Sequence, residues 1–549
     1  MKKSVLLYLL CVLCLLIMHR HVMTDTSELN CYSYIYNLLN TFFDVSIIII
    51  LFIPFIHFNK KAIVLPIIII DIISFVHIIY SNYFNSYLPF SLLGEFNNLN
   101  GLANNIFSAI SPSIVYILII SILCLYIVLK YSFNSKHILN LSLVLLSISC
   151  ILNICITSIE WKCDKNTIIF KTKNKYTVYR DTNYAKSVFE LGIIQNLFCD
   201  FLQNTNNIEP NIEDIRIIDS YINASSIRPD TINYNNEYNI IMIIVESLIS
   251  DPINKSINNT EITPNLNKLA QEGYYNSNMI SEIEKGESSD GQFIYLTGLL
   301  PHKEGITIID YFNNDFISFV NQIKNEKPQY TSRMIIPTSE SFWRQKEMCY
   351  KYDIDSLFSA KDLPNKKGTW LNDEEIFSIC KDKDISTKEP FISIILTASS
   401  HSPYDNSIYN SNITYPADYP LRYKNYLDAI NYTDFQIGNY IIHLRNQPWF
   451  DRTILLILSD HQVKNHLIDI ENNKSDFNIP LILLNHPSEI RTNKDSIIYQ
   501  TDIYPTILDI MNIKSKWRGV GNSIYSKDKN NTQKEYISSL ILKNDYFKQ

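Results

Sequence analysis

The hydrophobic and polar positions divide the chain into two regimes. Up to about residue 160 apolar residues run almost uninterrupted; beyond it they come in short β-branched bursts separated by polar, helix-length segments. Five apolar stretches, at 4–18, 41–58, 62–80, 112–128 and 137–159, each approach the roughly 17 to 25 residues that a membrane-crossing helix needs. They predict an α-helical transmembrane domain of about five helices over residues 1–159. In the second regime, 239–245, 332–336, 391–397, 453–459 and 480–484 read as strands alternating with helices, so residues 238–549 are expected to form an α/β domain. A polar connector, 160–237, joins the two. Within it, 185–203 has helical spacing, and Val188, Phe189, Leu191, Ile194, Leu197 and Phe198 would lie on the bilayer surface or pack into a core.

Lysines set the expected orientation. Lys2 and Lys3, Lys60 and Lys61, and Lys130 and Lys136 fall on alternate loops, whereas 81–111 has no Lys or Arg. The lysine-rich loops are expected inside and 81–111 outside, which puts everything after about Glu160 on the extracytoplasmic side. Lys2 and Lys3 before a short apolar run also describe a signal peptide, but His19, Arg20 and His21 follow instead of a small-residue cleavage pattern, so the first helix is expected to be retained. Asp71, inside the run Ile-Ile-Ile-Ile-Asp-Ile-Ile, is read either as a group touching a lipid head group or another helix, or as a hydrogen-bonded packing residue.

The formal net charge of −7 and pI near 5.9 offer no basic surface for nucleic acid. Of ten cysteines, Cys11, Cys14, Cys124, Cys150 and Cys155 fall in the apolar stretches; Cys163, Cys199, Cys349 and Cys380 follow them, with no metal-finger spacing and no unique disulfide pairing.

Two of the strand-like runs end abruptly in metal-capable side chains. Residues 239–245 lead into Glu246, and residues 453–459 into Asp460 and His461, as buried parallel strands do when they deliver ligands to the carboxyl edge of a sheet. The segment Glu284-Lys285-Gly286-Glu287-Ser288-Ser289-Asp290-Gly291 precedes a helical run ending near Thr297. A hydroxyl there would sit by unpaired backbone N–H groups and the positive end of the helix dipole, which suit an incoming phosphate. Ser288 is the candidate nucleophile; taken alone, Ser-Ser-Asp is simply a helix cap. Two carboxylates, an imidazole and a serine oxygen are a donor set for one divalent cation, Mn²⁺ first, with Zn²⁺ or Mg²⁺ as alternatives.

The run Thr263-Pro264-Asn265-Leu266-Asn267-Lys268-Leu269-Ala270-Gln271-Glu272-Gly273 resembles the signature after the first metal-binding strand of the sulfatase and alkaline phosphatase superfamily. Tyr432-Thr433-Asp434, Asp451-Arg452-Thr453 through Asp460-His461, and Thr501 to Leu508 resemble its later segments, in the same order. Within that superfamily, Val245-Glu246-Ser247-Leu248, Ser288-Ser289-Asp290 and Ser341-Phe342-Trp343-Arg344 are similar to lipoteichoic acid synthase and its relatives, the membrane phosphoglycerol transferases. Residues 80–84 and 104–108 resemble the outward loop of those enzymes.

The resemblance implies a transferase of the bacterial cell (inner) membrane, multi-pass, with an extracytoplasmic sulfatase-like catalytic domain. It would move phosphoglycerol from a membrane phospholipid, phosphatidylglycerol, through a covalent serine intermediate to a hydroxyl on an envelope polymer or glycan. By position it makes Glu246, Asp460, His461 and Ser288 the metal site, Ser288 the nucleophile, and His401, Trp343 and Arg344 substrate-binding residues. Three departures stand out. Ser288 replaces the usual threonine, Arg344 follows Trp343 directly where one residue normally intervenes, and Ile336 stands where some members have histidine. The alternatives are a phosphoethanolamine transferase of the same superfamily, whose Gly-Glu-Thr and Thr-Ser-Cys motifs are not found here, and a catalytically inactive scaffold on the same fold. A formylglycine sulfatase is disfavoured, because no x-Pro-x-Arg follows Ser288 or Ser289.

Overall fold

The computed structural model describes residues 2–22, 31–84, 112–130, 135–162, 188–189, 192–194, 211–225, 237–303, 306–340, 342–364, 366, 370–402, 404, 409, 411–463, 468, 477–486, 495–526 and 533–548. The chain forms two compact units: residues 1–207 with the short segment 341–346, and the remainder from Ile208. The expected outward loop beyond residue 84, most of the connector, Cys163 and Cys199 lie outside the described residues.

The first unit contains α1 (Lys2–Val22), α2 (Cys31–Phe58), α3 (Leu65–Phe84), α4 (Pro112–Lys130) and α5 (Ser135–Lys162), one helix at each apolar stretch. Among the described residues two segments, Asn40–Phe58 and Lys61–Ile78, are long and apolar enough to cross a membrane, and Leu6–Leu16, Tyr116–Lys130 and Ser135–Ile151 are shorter apolar helices. Length and apolarity thus mark two candidate crossings among the described residues, where about five were expected. Tyr8, Val12 and Leu15 of α1, Val45 and Ile49 of α2, Ile67 of α3 and Val128 of α4 form the unit's core. Leu51, Phe55, Ile72, Ile122 and Leu129 are exposed, an outward apolar surface that lipid would cover.

Several buried polar groups of this unit are paired with distant segments. Asn37, Thr41 and Asp44 lie on one buried face of α2. The Asp44 carboxylate accepts the backbone N–H groups of Ile193 (2.8 Å) and Ile194 (3.2 Å), and Asn37 donates to the Phe189 carbonyl at 3.0 Å. Val188 and Phe189, expected on the bilayer surface or in a core, are thus buried in the first unit, and Ile194 packs partly buried against its core. Asp71 accepts the hydroxyl of Ser121 on α4, so it is hydrogen-bonded to a neighbouring helix.

The second unit is built on an eight-stranded mixed sheet. Its strands are β1 (Asn239–Val245), β4 (Tyr274–Ile280), β5 (Thr331–Ile335), β6 (Ser356–Phe358), β7 (Phe391–Leu396), β8 (Thr453–Ser459), β9 (Ile479–Leu484) and β10 (Ile498–Tyr499); β2 (Ser256–Ile257) and β3 (Thr260–Glu261) form a separate hairpin. The sheet order is β10-β4-β9-β8-β1-β7-β5-β6. From β8 to β6 neighbours are parallel, while β9 runs antiparallel to both β8 and β4. Every residue of β1 and β8 is buried, because helices cover both faces of a central parallel strand. Alternate β1 residues Ile241, Ile243 and Val245 pack with Leu266, Leu269, Phe377, Tyr426, Leu427 and Tyr440 of three covering helices, Pro264–Glu272, Asp373–Ile385 and Leu421–Arg445. A helix from the stretch read as connector, Ile212–Ser225, also belongs here; Asn544 of the C-terminal helix Lys534–Asn544 donates to its Asp214 at 3.1 Å.

Candidate active site

The centre of the sheet positions the candidate ligands. In the β1–β8 register Val245 is opposite Ser459, so the next residues, Glu246 and Asp460, leave the carboxyl edge side by side. The ladder continues one step further, with the Asp460 N–H donating to the Val245 carbonyl at 3.2 Å. Glu246, Asp460 and His461 each offer a ligand atom within 4.8 Å of the others, and all three are buried.

Their neighbours hold them in this arrangement. Asp460 Oδ1 accepts the N–H groups of Ser247 (2.8 Å) and His461 (2.7 Å), which directs Oδ2 toward His461 Nε2 at 3.6 Å. His461 Nδ1 lies 3.1 Å from the Gln462 carbonyl, so a proton on Nδ1 leaves the Nε2 lone pair for the cluster. The Glu246 backbone is pinned by the loop after β7: its N–H donates to Thr397 Oγ1 (3.0 Å) and its carbonyl accepts from Ser400 Oγ (2.6 Å). Ser247, with a positive φ of 52°, donates its hydroxyl to Glu246 Oε1 at 2.7 Å. Gln500 closes the far side, donating to the Asp460 carbonyl at 2.7 Å.

Ser288 is the first residue of a helix, Ser288–Thr297, that ends against this edge. Its Oγ lies 3.2 Å from Glu246 Oε2 and 3.2 Å from His461 Nε2. The preceding loop is locked by Asp290, whose Oδ2 accepts the N–H groups of Glu284 (3.0 Å) and Gly286 (2.8 Å). Gly291 permits the approach: a Cβ there would lie 2.3 Å from the Asp460 carbonyl oxygen. One expectation needs correction. The N–H groups of Ser289, Asp290 and Gly291 are satisfied by Gly286 and Glu287 carbonyls, because the turn closes onto the helix; the dipole remains, the open donors at those positions do not.

Two buried carboxylates facing each other are electrostatically uncomfortable. Burial, and then the Glu246 charge, push Asp460 up to about 7. Burial lowers the His461 imidazole, but Asp460 and Glu246 outweigh it and the net direction is upward. Two carboxylates, an imidazole with a directed lone pair and an adjacent hydroxyl fit one divalent cation, whose charge would relieve that repulsion.

The structure brings together four of the sequence-derived residues, Glu246, Ser288, Asp460 and His461. His401 is exposed on the loop next to Ser400, its ring edge-on to Trp370 at 5.8 Å. Trp343 and Arg344, both with positive φ, lie in the 341–346 segment that belongs with the first unit and are not among the residues the second unit brings together. Sequence reasoning missed Thr397, Gln500 and Gly291 as supports. Gly291 directly follows the Ser-Ser-Asp motif and Gln500 directly precedes Thr501-Asp502, so both stood next to segments already singled out.

Residues 238–513 match the family model described as Sulfatase, half of the chain, and the chain belongs to that family. Along most of its length it is similar to lipoteichoic acid synthase of Staphylococcus saprophyticus, at 24% identity over 494 residues covering 84% of this chain and 74% of that protein. It is similar also to lipoteichoic acid synthase 2 of Bacillus subtilis, at 22% over 503 residues covering 86% and 76%. Among solved structures, the lipoteichoic acid synthase LtaP from Listeria monocytogenes matches 55% of this chain and 79% of its own, with 20% identity and a TM-score of 0.46. The family match and the two lipoteichoic acid synthase relatives bear out the resemblance read from the motifs.

Proposed function

We propose that the protein is a membrane-held transferase that moves the phosphoglycerol group of phosphatidylglycerol to a hydroxyl of an envelope polymer or glycan. The observation that carries this reading is the Ser288 hydroxyl, 3.2 Å from both Glu246 and His461 at the start of a helix. Similarity to lipoteichoic acid synthases over 84% of the chain supports the same substrate class.

Glu246, Asp460 and His461 would hold one divalent cation, Mn²⁺ foremost, beside the Ser288 oxygen. When bound, such an ion polarises phosphoryl oxygens and lowers the pKa of a neighbouring hydroxyl. Ser288 Oγ attacks phosphorus and gives its proton to solvent. The bond from phosphorus to the diacylglycerol oxygen breaks, and diacylglycerol leaves after taking up a proton. The acceptor hydroxyl then attacks the same phosphorus, the Ser288 ester breaks, and the serine regains its proton. The helix dipole at Ser288 favours the anionic group throughout. His401, Trp343 and Arg344 are assigned to binding the phosphoglycerol head group. Five membrane-spanning helices, with the catalytic domain outside, would keep the donor lipid in the bilayer and replace a search through water by proximity.

Turnover of a fluorescent phosphatidylglycerol tests the reading. Ser288→Ala is expected to abolish it while bound metal is retained; undiminished turnover would contradict the assignment.

A further inference from the structure

A cleft of about 380 Å³ opens in the second unit, and none of the four clustered residues lines it. Its size lies within the roughly 300–1,000 Å³ of small-molecule sites. One wall is a single face of the helix Leu421–Arg445, on which Asp428, Asn431, Tyr432 and Phe435 follow one another at helical spacing. The Tyr432 ring stacks on Tyr409, with centroids 4.1 Å apart and planes 14° from parallel. Phe435, one turn further on, is 57% exposed.

The polar groups in this wall are fixed acceptors and amides. Asp428 Oδ1 takes the hydroxyls of Tyr415 (2.6 Å) and Ser411, while Oδ2 has no partner among the described residues. Asn431 is held by its amide donating to the Ile262 carbonyl at 2.9 Å. The described lining includes two carboxylates, Asp428 and Asp434, and no Lys, Arg or His. A polyanionic chain would be repelled there, whereas the apolar face of a sugar ring stacks on exposed aromatics and its hydroxyls donate to carboxylates.

The cleft is tied to the active-site loop. Thr433, next to Tyr432, donates to Asp373 Oδ2 at 2.6 Å, and Asp373 Oδ1 accepts the N–H groups of Ala398 (2.8 Å) and Ser399 (3.0 Å). Ser400 and His401 follow directly.

We propose that this cleft is the acceptor subsite and takes a neutral glycan, with a sugar ring against Tyr432 and Phe435 and its hydroxyls on Asp428. The word acceptor rests on the phosphoglycerol-transfer reading; glycan binding itself does not.

The test uses the full chain carrying Ser288→Ala, so that nothing turns over, in an amine-oxide detergent without a sugar head group. Binding is measured to an array of neutral mono- to tetrasaccharides and to a synthetic glycerophosphate oligomer. At least one neutral glycan is expected to bind, more tightly than the oligomer. Adding Phe435→Ala or Asp428→Asn should weaken it at least tenfold, with unchanged melting midpoints showing that both variants fold. No glycan binding, preference for the oligomer, or full affinity in both variants would overturn the proposal. Absence of lipid turnover by the unmodified protein would strike the transfer reading and leave the glycan site standing.

Discussion

Gly291→Ala probes how tightly the nucleophile helix is seated. The added methyl would lie 2.3 Å from the Asp460 carbonyl oxygen, 2.9 Å from its carbon and 3.0 Å from its Cα. These are backbone atoms of the residue after β8, and the Asp460 carbonyl also accepts Gln500 at 2.7 Å, so they cannot turn aside like a side chain. To regain a 3.0 Å separation the helix must retreat by about 0.7 Å, against roughly 1 kcal/mol of helix propensity that alanine would otherwise add. Overpacking of this kind costs about 1–3 kcal/mol, a fall of several degrees in melting temperature. The same retreat carries Ser288 away from Glu246 and His461, each now at 3.2 Å, and a misplacement near 1 Å can lower turnover about a hundredfold. Differential scanning fluorimetry and lipid turnover on the same preparation measure both. A variant with the parent's melting temperature and rate would refute the close approach.

Three other outcomes follow from neighbouring contacts. Thr397→Val removes the acceptor of the Glu246 N–H and leaves a buried donor unpaired, about 1–3 kcal/mol; metal affinity measured by titration should fall while the fold persists. Arg333→Met takes the guanidinium from the buried Asp384 carboxylate and leaves it only the Tyr440 hydroxyl and the His443 imidazole on Oδ2, which should destabilise the second unit by roughly 3 kcal/mol in a denaturant titration without altering metal stoichiometry. The third concerns pH. Without a cation the folded protein holds Asp460 near 7, whereas an unfolded carboxyl titrates near about 4, so the native state carries the extra proton in between. Stability of the metal-free protein should therefore fall as pH rises from about 4 to about 7. His461, raised by Asp460 and Glu246, adds a loss of the same sign as pH passes its folded value. Metal affinity should rise over the same interval, because the cation displaces those protons; affinity independent of pH would contradict it.

How much of this was legible in the sequence depended on burial and on distance along the chain. β1 and β8 were readable because both faces are covered, which makes Asn-Ile-Ile-Met-Ile-Ile-Val and Thr-Ile-Leu-Leu-Ile-Leu-Ser continuous apolar runs ending at the ligands. β4, Tyr-Tyr-Asn-Ser-Asn-Met-Ile, was missed: its buried Asn276 donates to the Ser496 carbonyl, 220 residues away, a partner that no local pattern announces. The antiparallel β9 was found as a strand, but its direction is set by pairing with β8 and β4 and has no local signature. Ser288 could be placed at a helix start from Gly-Glu-Ser-Ser-Asp, yet the closed turn that uses the next three N–H groups depends on Asp290 folding back on Glu284 and Gly286. In the first unit the five helices follow hydropathy, whereas the pairing of Asp44 with residues about 150 positions later could not be read from any stretch taken alone.

The most direct measurement is mass spectrometry of the peptide containing Ser288 after brief incubation of the metal-loaded protein with phosphatidylglycerol and no acceptor. The predicted result is an adduct on Ser288 with the mass of one phosphoglycerol group and no acyl chain, released when an acceptor is added. An unmodified Ser288 under conditions of measurable lipid turnover, or an adduct on another residue, would contradict it.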